Sequence, residues 1–219
     1  MNKTQLLLDY DGVMLKNTNL SKYQLVRSAK FVQKHTHLTI GTCQHLNKKF
    51  YPTYGHTVTM LNKMFNKKVT IEEYDDYVFN KKRVSRLDPL VDDDTKKHMK
   101  SFENLFEVCD KTNIVWNIFT NAHINWVMHF SEVMGMDTIS HNNVIWPESK
   151  LELLKPNPKA YDRVEALFPE ATSFIFVDDS PVNLNDLIHR EKWIPILMTE
   201  KTTVNHIAFV VSGAISFSE

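Results

Sequence analysis

Three mostly apolar runs divide the chain, and a polar cluster follows each of them. The runs cover residues 6–8, 115–119 and 174–177. Buried strands of a parallel sheet read as continuous apolar runs, whereas strands with one wet face alternate between apolar and polar residues. The pattern therefore predicts three buried strands. The polar residues that follow them are expected at the carboxyl edge of one sheet, which is where open α/β sheets bind ligands.

The remaining pattern is helical at first and alternating later. Apolar residues recur at helical spacing from about residue 21 to residue 108. After residue 114, strands are predicted near 144–146 and 194–197, and helices over 124–134, 160–167 and 185–189. This alternation predicts an α/β fold with a doubly wound, Rossmann-like parallel sheet and helices on both of its faces.

The long helical stretch between the first two strands indicates an insertion. A βα connection usually takes only a few residues, so residues 15–105 are too many for one. We interpret residues 15–111 as an inserted helical cap and residues 1–14 with 112–219 as the core domain, joined by short hinges near 14–20 and 105–112. The apolar segment 207–217 is predicted to be a buried C-terminal strand.

Composition narrows the classes of function. Lys and Arg number 26, as do Asp and Glu, so the formal net charge of +0 gives no overall attraction to a nucleic acid polymer or an anionic membrane. The apolar C-terminal segment is shorter than the roughly 20 residues that span a bilayer. The chain has 5 glycines and no glycine-rich nucleotide loop. Cys43 and Cys109 form no disulfide framework, so we expect a reducing, cytoplasmic setting.

The first polar cluster contains two carboxylates. Asp9 and Asp11 follow the first predicted strand, and at that spacing one carboxylate can attack phosphorus while the other moves a proton. Gly12 allows the backbone to turn away and keeps the loop close to a ligand. An Asp-Gly pair between apolar runs is also a common hairpin turn, so the segment alone leaves a hairpin or surface turn open.

The next two clusters supply hydrogen-bonding groups and a cation. Thr120 and Asn121 offer a hydroxyl and an amide to phosphate oxygens, although such residues also cap helices. Lys155 precedes a proline-rich turn, where its ammonium could neutralise a phosphoryl group or an aspartate. A solvated lysine is the alternative interpretation.

The last cluster is an adjacent pair of carboxylates. Asp178 and Asp179 directly follow an apolar run, and they would repel each other at a buried sheet edge. A divalent cation removes this repulsion, and hard oxygen ligands favour Mg²⁺. Capping of the next helix by Asp179 or Ser180 is the structural alternative.

Taken in order, these clusters resemble the four sequence motifs of the haloacid dehalogenase (HAD) superfamily of phosphotransferases. The resemblance extends from residue 6 to about residue 198. It implies that Asp9 is the nucleophile that forms an aspartyl-phosphate, that Asp11 is the general acid and base, and that Lys155 balances charge. Thr120 and Asn121 would bind the phosphoryl oxygens of the substrate.

The same resemblance implies Mg²⁺ as the cofactor. Its ligands would be Asp9, the backbone carbonyl of Asp11, and Asp179, while Asp178 would act through a metal-bound water. Dehalogenases of the superfamily lack the second aspartate of the first motif, so Asp11 indicates phosphoryl transfer instead.

Two segments bear on the substrate. Residues 51–57 resemble a cap segment of the pyrimidine 5′-nucleotidase branch, whereas residues 12–14 are closer to the phosphoglycolate phosphatase and sugar-phosphate mutase group. We expect a phosphatase that acts on a small phosphorylated metabolite, with a nucleoside monophosphate favoured. A phosphomutase, a sugar-phosphate or phosphoglycolate phosphatase, and a non-catalytic regulatory domain that binds Mg²⁺ and phosphate are the alternatives.

Overall fold

A computed structural model describes residues 3–216, with side chains up to residue 213. This part of the chain forms five strands and ten α-helices. In chain order they are β1 (Thr4–Leu8), α1 (Thr18–Thr36), α2 (Ile40–Tyr54), α3 (Thr57–Met64), α4 (Ile71–Val78), α5 (Lys81–Val84), α6 (Asp93–Thr112), β2 (Val115–Phe119), α7 (Ile124–Val133), β3 (Val144–Ile145), α8 (Pro158–Leu167), β4 (Ser173–Asp178), α9 (Pro181–Leu184), β5 (Trp193–Leu197) and α10 (Val204–Ser216). Short 3₁₀ helices cover Asp88–Leu90, His141–Asn143, Leu151–Leu153 and Asn185–His189.

The five strands form one parallel sheet in the order β3-β2-β1-β4-β5. β1 is central, and Leu8 pairs in register with Ile118 of β2 and Val177 of β4. Because both neighbours of β1 run parallel to it, the Asp-Gly segment after β1 is not a hairpin turn. The predicted α/β fold with a doubly wound parallel sheet is confirmed.

Alternation along the central strand divides the core between the two faces of the sheet. Leu6 and Leu8 pack with apolar residues of α6, α7 and α10, whereas Leu7 packs on the opposite face with α8. Successive side chains of a strand point to opposite faces, so each residue of β1 contributes to one layer of helices only. Both faces are covered, which is why these strands read as continuous apolar runs.

The helices between β1 and β2 include a cluster in which α1 contacts α2, α3 and α4. Asn17 caps α1 by accepting a hydrogen bond from the Leu20 N–H at 2.8 Å. The Asn17 Nδ2 also donates to the Leu90 carbonyl and the Thr95 Oγ1, both at 2.9 Å. One buried side chain therefore links the start of α1 to the start of α6.

Two expectations differ from the structure. The expected hinge at 105–112 is the second half of α6, a continuous helix that packs against α10 and β2. The expected C-terminal strand is instead α10; position 217 of that segment lies outside the described residues. Val204, Ile207 and Val211 are buried at spacings of three and four, which is a helical pattern. The division of the chain into core and cap stays a prediction.

The last two features are the state of the cysteines and the possibility of a membrane-spanning helix. Cys43 and Cys109 are buried free thiols on α2 and α6. Over residues 3–216, no helix combines the length and apolar character needed to cross a bilayer. The cytoplasmic location stays a prediction.

Candidate active site

The structure brings the predicted site residues together at the carboxyl edge of the sheet. Asp9 and Asp11 follow β1, Thr120 and Asn121 follow β2, and Asp179 follows β4. With Lys155, which comes from the loop before α8, they line one cavity of about 350 Å³. Asp178, the last residue of β4, lies fully buried behind this cavity.

The loop after β1 turns sharply beneath Asp179. Gly12 has a φ of +81°, and a Cβ at this position would lie 2.1 Å from the Asp179 Oδ2. The Gly12 N–H donates to the Leu15 carbonyl at 3.0 Å, which closes the turn. Only glycine combines this backbone conformation with so close an approach to a carboxylate. Asp9, at the start of the loop, is 8% exposed, so it is not part of a surface turn.

Lys155 is a buried cation held by two hydrogen bonds and two ion pairs. Its Nζ donates to the Phe119 carbonyl at 2.8 Å and to the Asp178 Oδ2 at 2.7 Å, and it also forms an ion pair with the Asp9 Oδ1 at 3.0 Å. Burial by itself would lower the pKa of Lys155, but Asp178 and Asp9 outweigh it and raise that pKa above its usual value. The alternative of a solvated lysine is wrong, because the side chain is 1% exposed.

Asp178 is held on every side by hydrogen-bond donors. Besides Lys155, its carboxylate accepts from the Ser180 N–H at 2.8 Å and from the Asn183 Nδ2, which lies 3.1 Å from Oδ1 and 3.0 Å from Oδ2. Ser180 precedes α9 but makes no capping bond with its side chain. Asp178 therefore acts as the fixed counter-ion of Lys155, and its oxygens are largely occupied.

Asp9, Asp178 and Asp179 form a cluster that could hold a metal ion. One oxygen from each carboxylate lies within 4.8 Å of the others. Burial raises the pKa of Asp9 well above its usual range, opposed by Lys155 and reinforced by Asp178 and Asp179. Burial, and then Asp178, raises the pKa of Asp179 to about 6. A divalent cation would relieve this repulsion, and all-oxygen donors fit Mg²⁺.

Asp11 is clamped between α1 and α7. Its Oδ2 accepts from the Gln24 Nε2 and its Oδ1 from the Trp126 Nε1, both at 3.0 Å. Burial raises the pKa of Asp11, and the two hydrogen bonds oppose that rise. The side chain is therefore fixed in place at the edge of the cavity, next to Asp9, with a raised affinity for a proton.

Thr120 and Asn121 differ in how free their side chains are. The Thr120 Oγ1 accepts from the Ala122 N–H at 3.0 Å and keeps its own proton to donate. The Asn121 amide pairs with the Lys155 backbone through two hydrogen bonds of 2.8 Å, so its side chain positions the lysine loop. Neither residue caps α7, whose N-cap is His123.

A second, larger cavity adjoins the first. It measures about 580 Å³ and is lined mainly by α1, α2, α3 and α4. The two cavities share Asp11, Ser21, Gln24, Tyr51, Asn121 and Ala122 as lining residues. A ligand with its phosphate among the carboxylates would therefore extend its remaining part under these helices.

Some contacts carry no local sequence signal. Gln24 is one polar residue of an amphipathic helix, and Trp126 lies in an apolar stretch, so nothing nearby marks either as a partner of Asp11. Asn47, which lines the larger cavity, is likewise one polar residue in a helical segment. Pairings across 13 and 115 positions become visible only once the fold has formed.

No protein-family model matches the chain, and no curated protein matches it either. An inference about function therefore depends on the geometry and chemistry of the site itself.

Proposed function

We propose that the chain is a Mg²⁺-dependent phosphatase of the HAD type that hydrolyses a small phosphomonoester, with a nucleoside monophosphate favoured. The observation that carries the proposal is the convergence of Asp9, Asp11, Lys155 and Asp179 on one cavity at the carboxyl edge of the sheet. Each of these groups has a distinct part in phosphoryl transfer. Their convergence also supports turnover over mere phosphate binding, because a simple anion site has no use for so many carboxylates.

Asp9 is the proposed nucleophile. Its Oδ1 already accepts from the Tyr10 N–H at 2.8 Å and forms an ion pair with the Lys155 Nζ at 3.0 Å. No residue within the described part of the chain donates a hydrogen bond to Oδ2. That oxygen attacks phosphorus, a bond between Oδ2 and phosphorus forms, and the bond between phosphorus and the leaving oxygen breaks.

Asp11 is the proposed general acid and base. Its proton passes to the leaving oxygen, so the organic part departs as a neutral alcohol. Asp11, now a carboxylate, then takes a proton from water while the water oxygen attacks phosphorus. Inorganic phosphate leaves and the Asp9 carboxylate is restored. Gln24 and Trp126 hold Asp11 in position for both transfers.

Mg²⁺, when bound, would neutralise charge on the carboxylates and on the phosphoryl oxygens. Asp9 and Asp179 are the side chains that would hold it, with the Asp11 carbonyl as the expected third protein ligand and Asp178 one water away. Lys155 holds the unreactive Asp9 oxygen, and the Thr120 hydroxyl supplies a donor for a phosphoryl oxygen. These donors are fixed before the substrate arrives, which is what electrostatic catalysis requires.

The test is a panel of phosphomonoesters assayed for phosphate release with Mg²⁺ and with Mg²⁺ plus EDTA. The panel contains nucleoside monophosphates, ribose 5-phosphate, glucose 6-phosphate, phosphoglycolate and p-nitrophenyl phosphate. We expect Mg²⁺-dependent phosphate release, abolished by EDTA. Product that retains the phosphoryl group on another position would indicate a phosphomutase. No turnover of any ester would reject the proposal.

A further inference from the structure

A third pocket lies apart from both cavities, and arginines dominate its lining. It measures about 220 Å³, and its lining residues in the described part of the chain are Tyr23, Arg27, Arg83, Arg86 and Leu87. None of these residues lines either of the two cavities described above. The pocket therefore has a chemical character of its own, and the proposed phosphatase reaction does not use it.

The three arginines of this pocket have no carboxylate partner. Within residues 3–213, none of them forms an ion pair with Asp or Glu. The remaining arginines of the chain are both paired: Arg163 forms an ion pair with Glu148. Arg190 forms ion pairs with Asp162 at 2.8 Å and with Glu165 at 2.9 Å. Positive charges around one small pocket repel one another, and an anion bound between them would relieve that repulsion.

Two of the three side chains are open to solvent. Arg83 lies on α5 and Arg86 follows that helix, and both residues are exposed. Within the described residues neither side chain makes a hydrogen bond, whereas every other arginine of the chain donates at least one. A ligand that enters the pocket can therefore reach both side chains and find their donors available.

Arg27 is the fixed member of the group. Its guanidinium lies 4.0 Å from the centre of the Tyr77 ring, and its Nη2 donates to the Tyr77 carbonyl at 2.7 Å. The Arg83 guanidinium lies 5.8 Å from the same ring centre, so one tyrosine contacts two of the cations. Burial raises the pKa of Tyr23, and the positive charges of Arg27 and Arg83 oppose that rise, so both charges lie near its hydroxyl group. These two cations are therefore in place beside the pocket before any ligand binds.

The donors and the size of the pocket indicate the class of anion. Guanidinium groups bind carboxylates and phosphates through paired hydrogen bonds. A carboxylate has two oxygens and a single charge, whereas a phosphoryl group has three acceptor oxygens and up to two charges, which suits three cations better. Drug-sized ligands occupy pockets of about 300–1,000 Å³. A pocket of about 220 Å³ can therefore enclose a phosphoryl group but not a whole nucleotide.

We propose that Arg27, Arg83 and Arg86 form a second anion site, which binds a phosphoryl dianion supplied by inorganic phosphate or by a small phosphate ester. The ligand is held by hydrogen bonds and charge, and no covalent bond forms or breaks. Because the pocket is separate from the carboxylates at the sheet edge, the proposal goes beyond the phosphatase reaction and does not depend on it.

The first experiment measures the binding of inorganic phosphate by calorimetry at constant ionic strength. EDTA is present, because it removes the divalent cations that the carboxylates of the proposed active site would need to bind phosphate. The wild type is compared with Arg83→Gln/Arg86→Gln and with the control Lys81→Gln/Lys82→Gln. Both double variants remove two positive charges from exposed side chains of one segment, but Lys81 and Lys82 do not line the pocket.

The arginine variant should bind inorganic phosphate at least about tenfold more weakly than the wild type, because a hydrogen bond to a charged group typically contributes that factor. The lysine variant should stay within about twofold of the wild type, since it keeps every donor of the pocket. An equal loss of affinity in both variants would reject the proposal, because it would mean that the charge of the whole segment attracts anions without a defined site.

Chemical modification locates the site in the wild-type protein. Phenylglyoxal reacts with accessible guanidinium groups, and peptide mass spectrometry measures the modification of Arg83 and Arg86. At about ten times the dissociation constant from calorimetry, inorganic phosphate should slow the modification of both residues about tenfold, because an occupied site does not react. Acetate at the same ionic strength should leave the rate unchanged.

Ribose 5-phosphate in the same assay distinguishes the two sources of the phosphoryl group. Protection by both compounds supports a site for phosphate esters and the free ion alike, and protection by inorganic phosphate alone supports a site for the free ion. Equal phosphate affinity of the arginine variant and the wild type would overturn the proposal. So would equal rates of modification of Arg83 and Arg86 in phosphate and in acetate. None of these measurements uses turnover, so a failure of the proposed phosphatase reaction leaves their outcome unaffected.

Discussion

The two adjoining cavities differ in the charge of the groups that line them. Asp9, Asp11, Lys155 and Asp179 line the smaller one, and Lys155 also pairs with the buried Asp178 behind it. The larger one has aromatic and apolar walls, and apart from Asp11, Lys48 is the one Asp, Glu, Lys or Arg that lines it in the described part of the chain. Under the proposed function, the smaller cavity would hold the phosphoryl group and the larger cavity would hold the rest of the substrate.

Asp11 lies where the two cavities meet, so its substitution gives the largest expected change in rate. If Asp11 protonates the leaving oxygen, Asp11→Asn should slow nucleotide hydrolysis by about 10²–10⁴-fold. The effect on p-nitrophenyl phosphate should be much smaller, because its leaving group departs with little need of a proton. Single-turnover measurement of aspartyl-phosphate formation checks this difference. Equal slowing of both substrates would mean that Asp11 only positions the loop or the metal.

Substitution of Lys155 tests whether the stability of the fold depends on the ion pairs of Lys155 with Asp9 and Asp178. Lys155→Met leaves Asp9 and Asp178 buried without their cation, and breaking a buried ion pair in this way typically costs about 3–5 kcal/mol. Urea unfolding at neutral pH measures the loss of unfolding free energy. Lys150→Met, at an exposed lysine in the same loop, is the control and should leave stability near that of the wild type. A similar small effect of both substitutions would remove Lys155 from its proposed role.

Substitution of Gly55 tests the contact between the end of α2, which lines the larger cavity, and the Lys155 loop, which lines the smaller one. It has a φ of +66°, and a Cβ there would lie 2.3 Å from the Pro156 Cδ and 2.7 Å from the Lys155 carbonyl oxygen. Gly55→Ala should push the end of α2 away from the lysine loop and reduce kcat/KM by up to about 10²-fold, the usual cost of a small misplacement. Gly41→Ala, in the first turn of α2 with open space around it, should leave kcat/KM unchanged. Activity of Gly55→Ala equal to that of Gly41→Ala would show that this contact does not matter.

Substitution of Asp75 is expected to have the smallest effect. It tests how a buried carboxyl that lacks a paired cation changes the unfolding free energy with pH. This carboxyl on α4 is buried without a cation, and burial, then Asp76 and Glu72, raises its pKa to about 8. The folded state then binds the proton more tightly than the unfolded state, so the unfolding free energy falls as pH rises toward 8. Between about pH 6 and about pH 7, the unfolding free energy of Asp75→Asn should rise relative to that of the wild type by at most about 1.4 kcal/mol per pH unit. Parallel urea unfolding series check this, and a constant difference across pH would contradict it.

The fold was largely predictable because its strands are buried on both faces. The apolar runs at 6–8 and 174–177 lie within β1 and β4. The C-terminal segment was predicted wrongly as a strand because its many apolar residues resemble a buried run. The helical spacing of Val204, Ile207 and Val211 was present in the sequence and is what the structure follows. The continuation of α6 through residues 105–112 was not predicted, because helical periodicity is the same in a helix that packs on the sheet and in one that packs on other helices.

The site was predictable where its residues follow strand ends. Asp9 and Asp179 come directly after apolar runs, and parallel strands bring such positions to one edge. The partners of Asp11 were not predictable, because Gln24 and Trp126 reach it from separate helices. Sequence therefore indicates which polar groups meet at the sheet edge, while packing determines what surrounds them.

The most direct test of the central claim is the state of Asp9 during turnover. Wild-type protein is mixed with Mg²⁺ and p-nitrophenyl phosphate, quenched in acid, digested and examined by mass spectrometry. We expect one phosphoryl group on the peptide that contains Asp9, and we expect neither that adduct nor phosphate release with Asp9→Asn, because an amide cannot act as the nucleophile. A phosphoryl group on another residue, or normal turnover by Asp9→Asn, would contradict the account.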